Sequence, residues 1–151
     1  MRSTLRRSGG YTVIELLLVM IIIGILAGIT YARMAPTLVR ARVRGAASLL
    51  AGDLQYAQVL AARQRGPVVI AVNAGALTYQ IADRAGTVFR TRDFGAAGEY
   101  ALTELTASPA SLEIFPNAMA PQGATYTVGV GGFRQQVTYS RAGQVRVATL
   151  P

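Results

Sequence analysis

The sequence predicts an α+β fold: one long N-terminal helix, apolar in its first half and amphipathic in its second, packed on a mostly antiparallel β-sheet head. Three observations predict it. Residues Leu16 to Ala32 carry no charged side chain. Beyond Pro36, apolar residues recur at steps of three and four as far as Ala61, the period of a helix with one buried stripe. From Pro67 onward the apolar period switches to two, and turn signals rich in Gly, Pro and Asp divide the chain into short runs. Four segments follow: a leader over 1–10, a membrane-spanning half-helix over 11–36, an amphipathic half-helix over 37–66 and a β-rich globular head over 67–151.

The leader is short and basic, with Arg2, Arg6 and Arg7, and is read as a targeting segment without a fold. A helix from Tyr11 to Ala32 reaches about 33 Å at ~1.5 Å per residue, enough for a hydrocarbon core of about 30 Å. Glu15 then lies one turn inside the apolar run, where an ionised carboxylate costs on the order of a kcal/mol or more. Tyr11 and Glu15, spaced i and i+4, share a face of such a helix. A cut between Gly10 and Tyr11 would free an α-ammonium able to neutralise Glu15, within one subunit or between neighbours. Charge and hydropathy fit an uncut anchor equally well, with Glu15 marking its cytoplasmic edge. Arginines flank both ends of the span, so the positive-inside rule does not set its orientation. Gly24 and Gly28 form a small-xxx-small pair that would let another helix approach closely; tolerated membrane glycines are the plainer reading.

Pro36 lacks an N–H and clashes with the preceding turn, which predicts an interruption of the helix. The stripe Val39, Val43, Ala46, Leu50, Leu54, Ala57 and Ala61 follows it. Arg40 and Arg44 lie together off this stripe, on a solvated face or against anionic headgroups, with contact to a neighbouring subunit as the other reading. Gly66-Pro67 ends the helix.

Eight strands are predicted: 68–73, 76–82, 87–91, 100–105, 112–115, 124–130, 133–139 and 144–148. Ala74-Gly75 marks the first hairpin turn, and Asp83-Arg84-Ala85-Gly86 the second. Gly131-Gly132 and Ser140-Arg141-Ala142-Gly143 join the last three strands. The apolar faces need cover, and the helix stripe is the expected lid. The turn at 92–99 and the Pro-rich loop at 116–123 are the expected exposed segments.

The formal charge of +8 would suggest a polyanion ligand if it were gathered in the head, but it is not. Three arginines are in the leader, and six arginines stand against one acid between residues 33 and 65. From Pro67 onward six arginines face five acids, so no broad phosphate-binding surface is expected there. The chain has no cysteine, no histidine and no lysine. That removes disulfides, thiol chemistry, the commonest metal ligand and the commonest general base. Asp83, Asp93, Glu99, Glu104 and Glu113 are scattered without calcium-loop spacing. No catalytic residues, metal or cofactor are expected, and an enzyme is not predicted.

Gly10-Tyr11-Thr12-Val13-Ile14-Glu15-Leu16 closely resembles the class III signal of type IV pilins and type II secretion pseudopilins, with Tyr11 in place of the usual phenylalanine. The resemblance implies cleavage after Gly10 by a prepilin peptidase, N-methylation at Tyr11 and a register role for Glu15 in filament assembly. It implies an inner-membrane precursor with its head outside the cytoplasm. From there, with an assembly platform, it joins other pilins in a periplasmic pseudopilus or an extracellular pilus. The family's usual proline falls where this chain has Ala32. Leu60-Ala61-Ala62-Arg63 with Gly66 and Val68 to Val72 looks like the helix-to-strand junction of GspH and FimT-like minor pilins. The tail, with Phe115-Pro116, Gly123, Thr138-Tyr139-Ser140 and Gly143-Gln144-Val145-Arg146-Val147, resembles the end of the same group. Some FimT-like proteins carry a Gly-Arg-x-Arg tail motif associated with DNA uptake. Here that stretch reads Gly143-Gln144-Val145-Arg146, lacking one cation. A weak DNA contact through Arg134, Arg141 and Arg146 is therefore the alternative, and strand-edge solubility is the plainer reading of those arginines.

Overall fold

The computed structural model describes residues 11–150, and the side-chain surroundings of all of these except 30–33 and 35. One helix, α1 (Val13–Gln64), precedes eight strands. These are β1 (Val68–Asn73), β2 (Thr78–Asp83), β3 (Val88–Asp93) and β4 (Glu104–Ser108), then β5 (Ser111–Ile114), β6 (Ala124–Val130), β7 (Phe133–Tyr139) and β8 (Val145–Thr149). The chain divides into two compact units, Met1–Thr37 and Leu38–Pro151.

In the first unit α1 begins at Val13, so Tyr11 precedes the helix rather than forming its first turn. The expected break at Pro36 is absent, since α1 runs through it. A proline deletes one N–H bond and crowds one carbonyl, a loss confined to a single turn, and the bonds on either side carry the helix past it. Within the second unit α1 closes with a Schellman arrangement. Gly66 N donates to the Ala61 carbonyl at 3.3 Å and Arg65 N to that of Ala62 at 3.4 Å. The left-handed residue is Arg65, with φ 52°, and Gly66 takes the position after it.

The antiparallel β-sheet head that the sequence predicts consists of two four-stranded sheets. One has the order β3-β2-β1-β5 and the other β4-β6-β7-β8, and every pairing is antiparallel. The chain passes from the second sheet to the first between β4 and β5, across the cis Ser108-Pro109 bond. The helix stripe is the lid, as its period predicts: Val43, Ala46, Leu50, Leu54, Ala57 and Ala61 are each 0–2% exposed. They share one core with Ile70, Ile81, Leu105, Leu112, Ile114, Val128 and Val137. All the buried apolar residues of this core lie between Val43 and Tyr139, so the second unit has a complete core of its own.

Two loop readings change. The turn at 92–99 is not wholly exposed, because Phe94 is buried with its ring edge-on to Tyr79 at 5.4 Å and to Tyr100 at 5.8 Å. Residues 100–103 are drawn into that aromatic cluster, with Leu102 N donating to the Phe94 carbonyl, and β4 starts at Glu104 instead of Tyr100. Ala120, in the Pro-rich loop, is buried as well.

Candidate assembly site

Thr12 opens α1 as its N-cap. The Glu15 amide donates to the Thr12 side-chain oxygen at 3.3 Å, and the Leu16 amide to the Thr12 carbonyl at 3.2 Å. Thr12-Val13-Ile14-Glu15 is thus the threonine-to-glutamate spacing of a capping box, and it places a carboxylate in the first turn, where the helix dipole favours negative charge. The Tyr11–Glu15 face expected from a helix starting at Tyr11 does not form, because the cap sets the start two residues later. Tyr11 is exposed beside the cap. Gly10 and the leader lie outside the described residues.

Beyond Glu15 the helix is apolar all round. The large side chains from Leu16 to Ile29 are 47–63% exposed, with leucine, isoleucine, valine and methionine facing every direction. No helix among the described residues is long and apolar enough to cross a membrane. The described side chains from Val13 to Ile29 span about 25 Å of helix, short of a hydrocarbon core of about 30 Å. Gly24 and Gly28 share a face, and a Cβ added at either would meet nothing within 4 Å, so that face is open to another backbone.

Within the head, the charged group that sequence reading missed is Asp53. It is 3% exposed and sits on the helix between Leu50 and Leu54. Tyr79 of β2 donates its hydroxyl to one carboxylate oxygen at 2.6 Å, Arg92 of β3 its Nε to the same oxygen at 2.9 Å, and Arg90 of β3 donates to the other at 2.5 Å. The Arg90 guanidinium also lies 4.2 Å from the Tyr56 ring centre. Burial pushes the Asp53 carboxyl up, but the hydrogen bonds from Arg92, Tyr79 and Arg90 outweigh it and hold the carboxyl below its usual range. The same burial and the facing carboxylate push the Tyr79 hydroxyl up. This cluster fastens the helix to an edge strand. The signals were an acid on the apolar side of a helix and two arginines two apart on one strand. A second tie runs from Gln58, which donates to the Gly143 carbonyl at 2.7 Å and the Tyr139 hydroxyl at 3.0 Å.

The three arginines of the DNA alternative are not gathered into one patch. Arg146 pairs across β7–β8 with Thr138, four residues or about 13 Å along the strand from Arg134. Arg134 donates to Glu104 at 2.7 Å across Gly129 of β6, where a Cβ would sit only 3.1–3.2 Å from both side chains. Arg141 is exposed in the turn between β7 and β8. Glu104 is therefore an ion-pair partner, and Glu99 is exposed in the loop before it. Among the described residues no three His, Cys, Asp or Glu cluster in a way that could hold a metal.

An α-helix with a bare apolar beginning, whose later stripe is covered by an antiparallel two-sheet head, defines a pilin-like α+β protein. The comparisons with known proteins agree. Residues 5–31 match the prokaryotic N-terminal methylation motif. The fold is similar to that of the type IV minor pilin FimU of Pseudomonas aeruginosa PAO1 in two crystal forms. In one, 23% identity extends over 72% of this chain and 92% of that chain with a TM-score of 0.53; in the other the values are 24%, 74%, 90% and 0.56. No curated protein sequence matches. Motif and fold together bear out the resemblance to the type IV pilin superfamily. Neither bears on the narrower likeness to GspH and FimT.

Proposed function

We propose that the chain is a minor pilin or minor pseudopilin, a structural subunit of a type IV pilus or a type II secretion pseudopilus. A prepilin peptidase cuts after Gly10, Tyr11 becomes the methylated N-terminus, and the protein waits in the inner membrane before entering a filament with the help of an assembly platform. The observation that carries this reading is the methylation motif over residues 5–31, set on a helix whose large apolar side chains from Leu16 to Ile29 are 47–63% exposed. The uncharged stretch of sequence continues to Ala32, which gives the anchor its full length.

In the filament, helices of neighbouring subunits replace lipid around Leu16 to Ile29, with Gly24 and Gly28 as the close-approach face. Glu15 neutralises the α-ammonium of a Tyr11 and so sets axial register. A mispaired subunit leaves a buried charge alone, costing roughly 3–5 kcal/mol. No observation favours the DNA reading, since Arg134 is engaged by Glu104 and stands apart from Arg146.

Changing Gly10 to a bulky residue tests the processing step. The expected result is a precursor that keeps its leader and stays out of sheared filaments. An unchanged mature mass and normal incorporation would overturn the assignment.

A further inference from the structure

The last strand of the head, an outer strand of its sheet, leads into a groove. Strand β8 is the outer strand of its sheet. Ser140 N donates to the Gln144 carbonyl and Leu150 N to the Arg134 carbonyl, which fixes the phase of the β7–β8 ladder. By the antiparallel alternation, Arg146 and Ala148 turn their N–H and C=O groups toward β7, whereas Val145, Val147 and Thr149 turn theirs outward. Such an open edge is a template for another strand. The edge at β3 is broken by a register shift between Ile81 and Ala82, but the β7–β8 register is unbroken. The side chains of Val145, Val147 and Thr149 lie on the face of the buried Gln135, Val137 and Tyr139, yet Val147 is 46% exposed. The core face of this sheet therefore continues past its last strand without cover.

Thr149 and Leu150 lead from this edge into a groove of about 320 Å³, lined also by Arg40, Val43, Arg44 and Phe133. Arg40 and Arg44 stand one helical turn apart on α1. Among the described residues neither has an acidic partner, and Arg40 lies 4.5 Å from the Phe133 ring centre. Arg134 also lines the groove but is held by Glu104, so the groove offers the two guanidinium groups of Arg40 and Arg44 and an apolar floor at the end of a hydrogen-bonding edge.

The geometry points to β-augmentation: an extended segment of a partner protein pairs with β8 and places an acidic side chain between Arg40 and Arg44. Main-chain bonds to Val145, Val147 and Thr149 supply affinity, and the cationic groove supplies specificity, the usual division in strand addition. The alternate side chains of the incoming strand cover Val147. Charge complementarity selects the occupant, because a neutral strand would leave both guanidinium groups unpaired. This surface does not depend on the filament role proposed above.

The test uses residues 38–151, which contain the complete core. The probes are an acetylated, amidated heptapeptide of alternating valine and threonine with glutamate at both ends, so that either strand direction brings an acid to the groove, and the same peptide with glutamine at both ends. The glutamate peptide is expected to bind about tenfold more tightly and to slow amide exchange at Val145, Val147 and Thr149. Val147→Pro removes one outward N–H from an edge position that tolerates proline and should abolish binding of both peptides while leaving the amide spectrum dispersed. The double variant Arg40→Gln, Arg44→Gln should make the two peptides equal. Equal affinities for the unaltered head, or no protection at the three outward amides, would overturn the proposal. So would a head dimer that protects those amides without peptide, or binding confined to phosphatidylglycerol vesicles.

Discussion

The two stretches of α1 are both rich in apolar residues and differ in where those residues find cover. Between Leu16 and Ile29 the large side chains point in every direction and are 47–63% exposed; between Val43 and Ala61 the stripe residues are 0–2% exposed. The second stretch uses alanine at positions 46, 47, 57 and 61, all buried in the core of the head. The first uses bulky apolar residues on every face, with no polar side for solvent. One stretch builds the core of the head, and the other is the stretch proposed above to enter the filament.

Substitutions in the two stretches should therefore separate cleanly. The largest effect is expected at Glu15. In Glu15→Ala, cleavage should proceed, incorporation into sheared filaments should fall at least about a hundredfold, and the melting temperature of the head should not move. Normal incorporation would remove the register role. In the other stretch, Leu54→Ala should cost about 2–5 kcal/mol, lowering the head's melting temperature by roughly 10 °C. Leu18→Ala should leave that temperature unchanged, and a matching loss there would erase the distinction between the stretches.

Asp53 sharpens the comparison through pH. Its folded pKa is depressed, so its contribution is present above the unfolded value near 3.9 and is lost as pH falls through the folded value. Tyr79 and Tyr126 are shifted up, so their contribution is present below about pH 10 and is lost as pH rises beyond it. Asp53→Asn should cost about 2 kcal/mol at neutral pH, flatten the acid limb of a denaturation series and weaken the alkaline limb without removing it, because burial still raises Tyr79 and Tyr126. An acid limb unchanged in this variant would assign it to other carboxylates. The smallest effect is expected for Gly45→Ala, whose new methyl would lie 2.8 Å from the Tyr100 ring. The ring can shift, so a loss of about 1 kcal/mol is expected in thermal melts.

Local signals were the legible ones. The switch of period at Pro67 located the helix and the strands, and the stretch around Glu15 carries the N-terminal methylation motif. Thr12-Val13-Ile14-Glu15 carries the spacing of a cap, which competes with the i, i+4 pairing of Tyr11 and Glu15 and sets the helix start. What could not be read depends on distant pairing. Local periodicity does not set the pairing of β5 with β1 rather than β4, and it marks Asp53 as an acid on the apolar side of the helix without showing that Tyr79, Arg90 and Arg92 meet it. Phe94 shows the same limit: a turn-like stretch became core because two tyrosines elsewhere in the chain supplied ring edges.

Intact mass and N-terminal sequencing of the protein extracted from membranes of its native host test the central claim most directly. The account predicts a chain that begins at N-methylated Tyr11. A chain that retains Met1 would contradict it and leave the bare apolar helix as an uncut anchor.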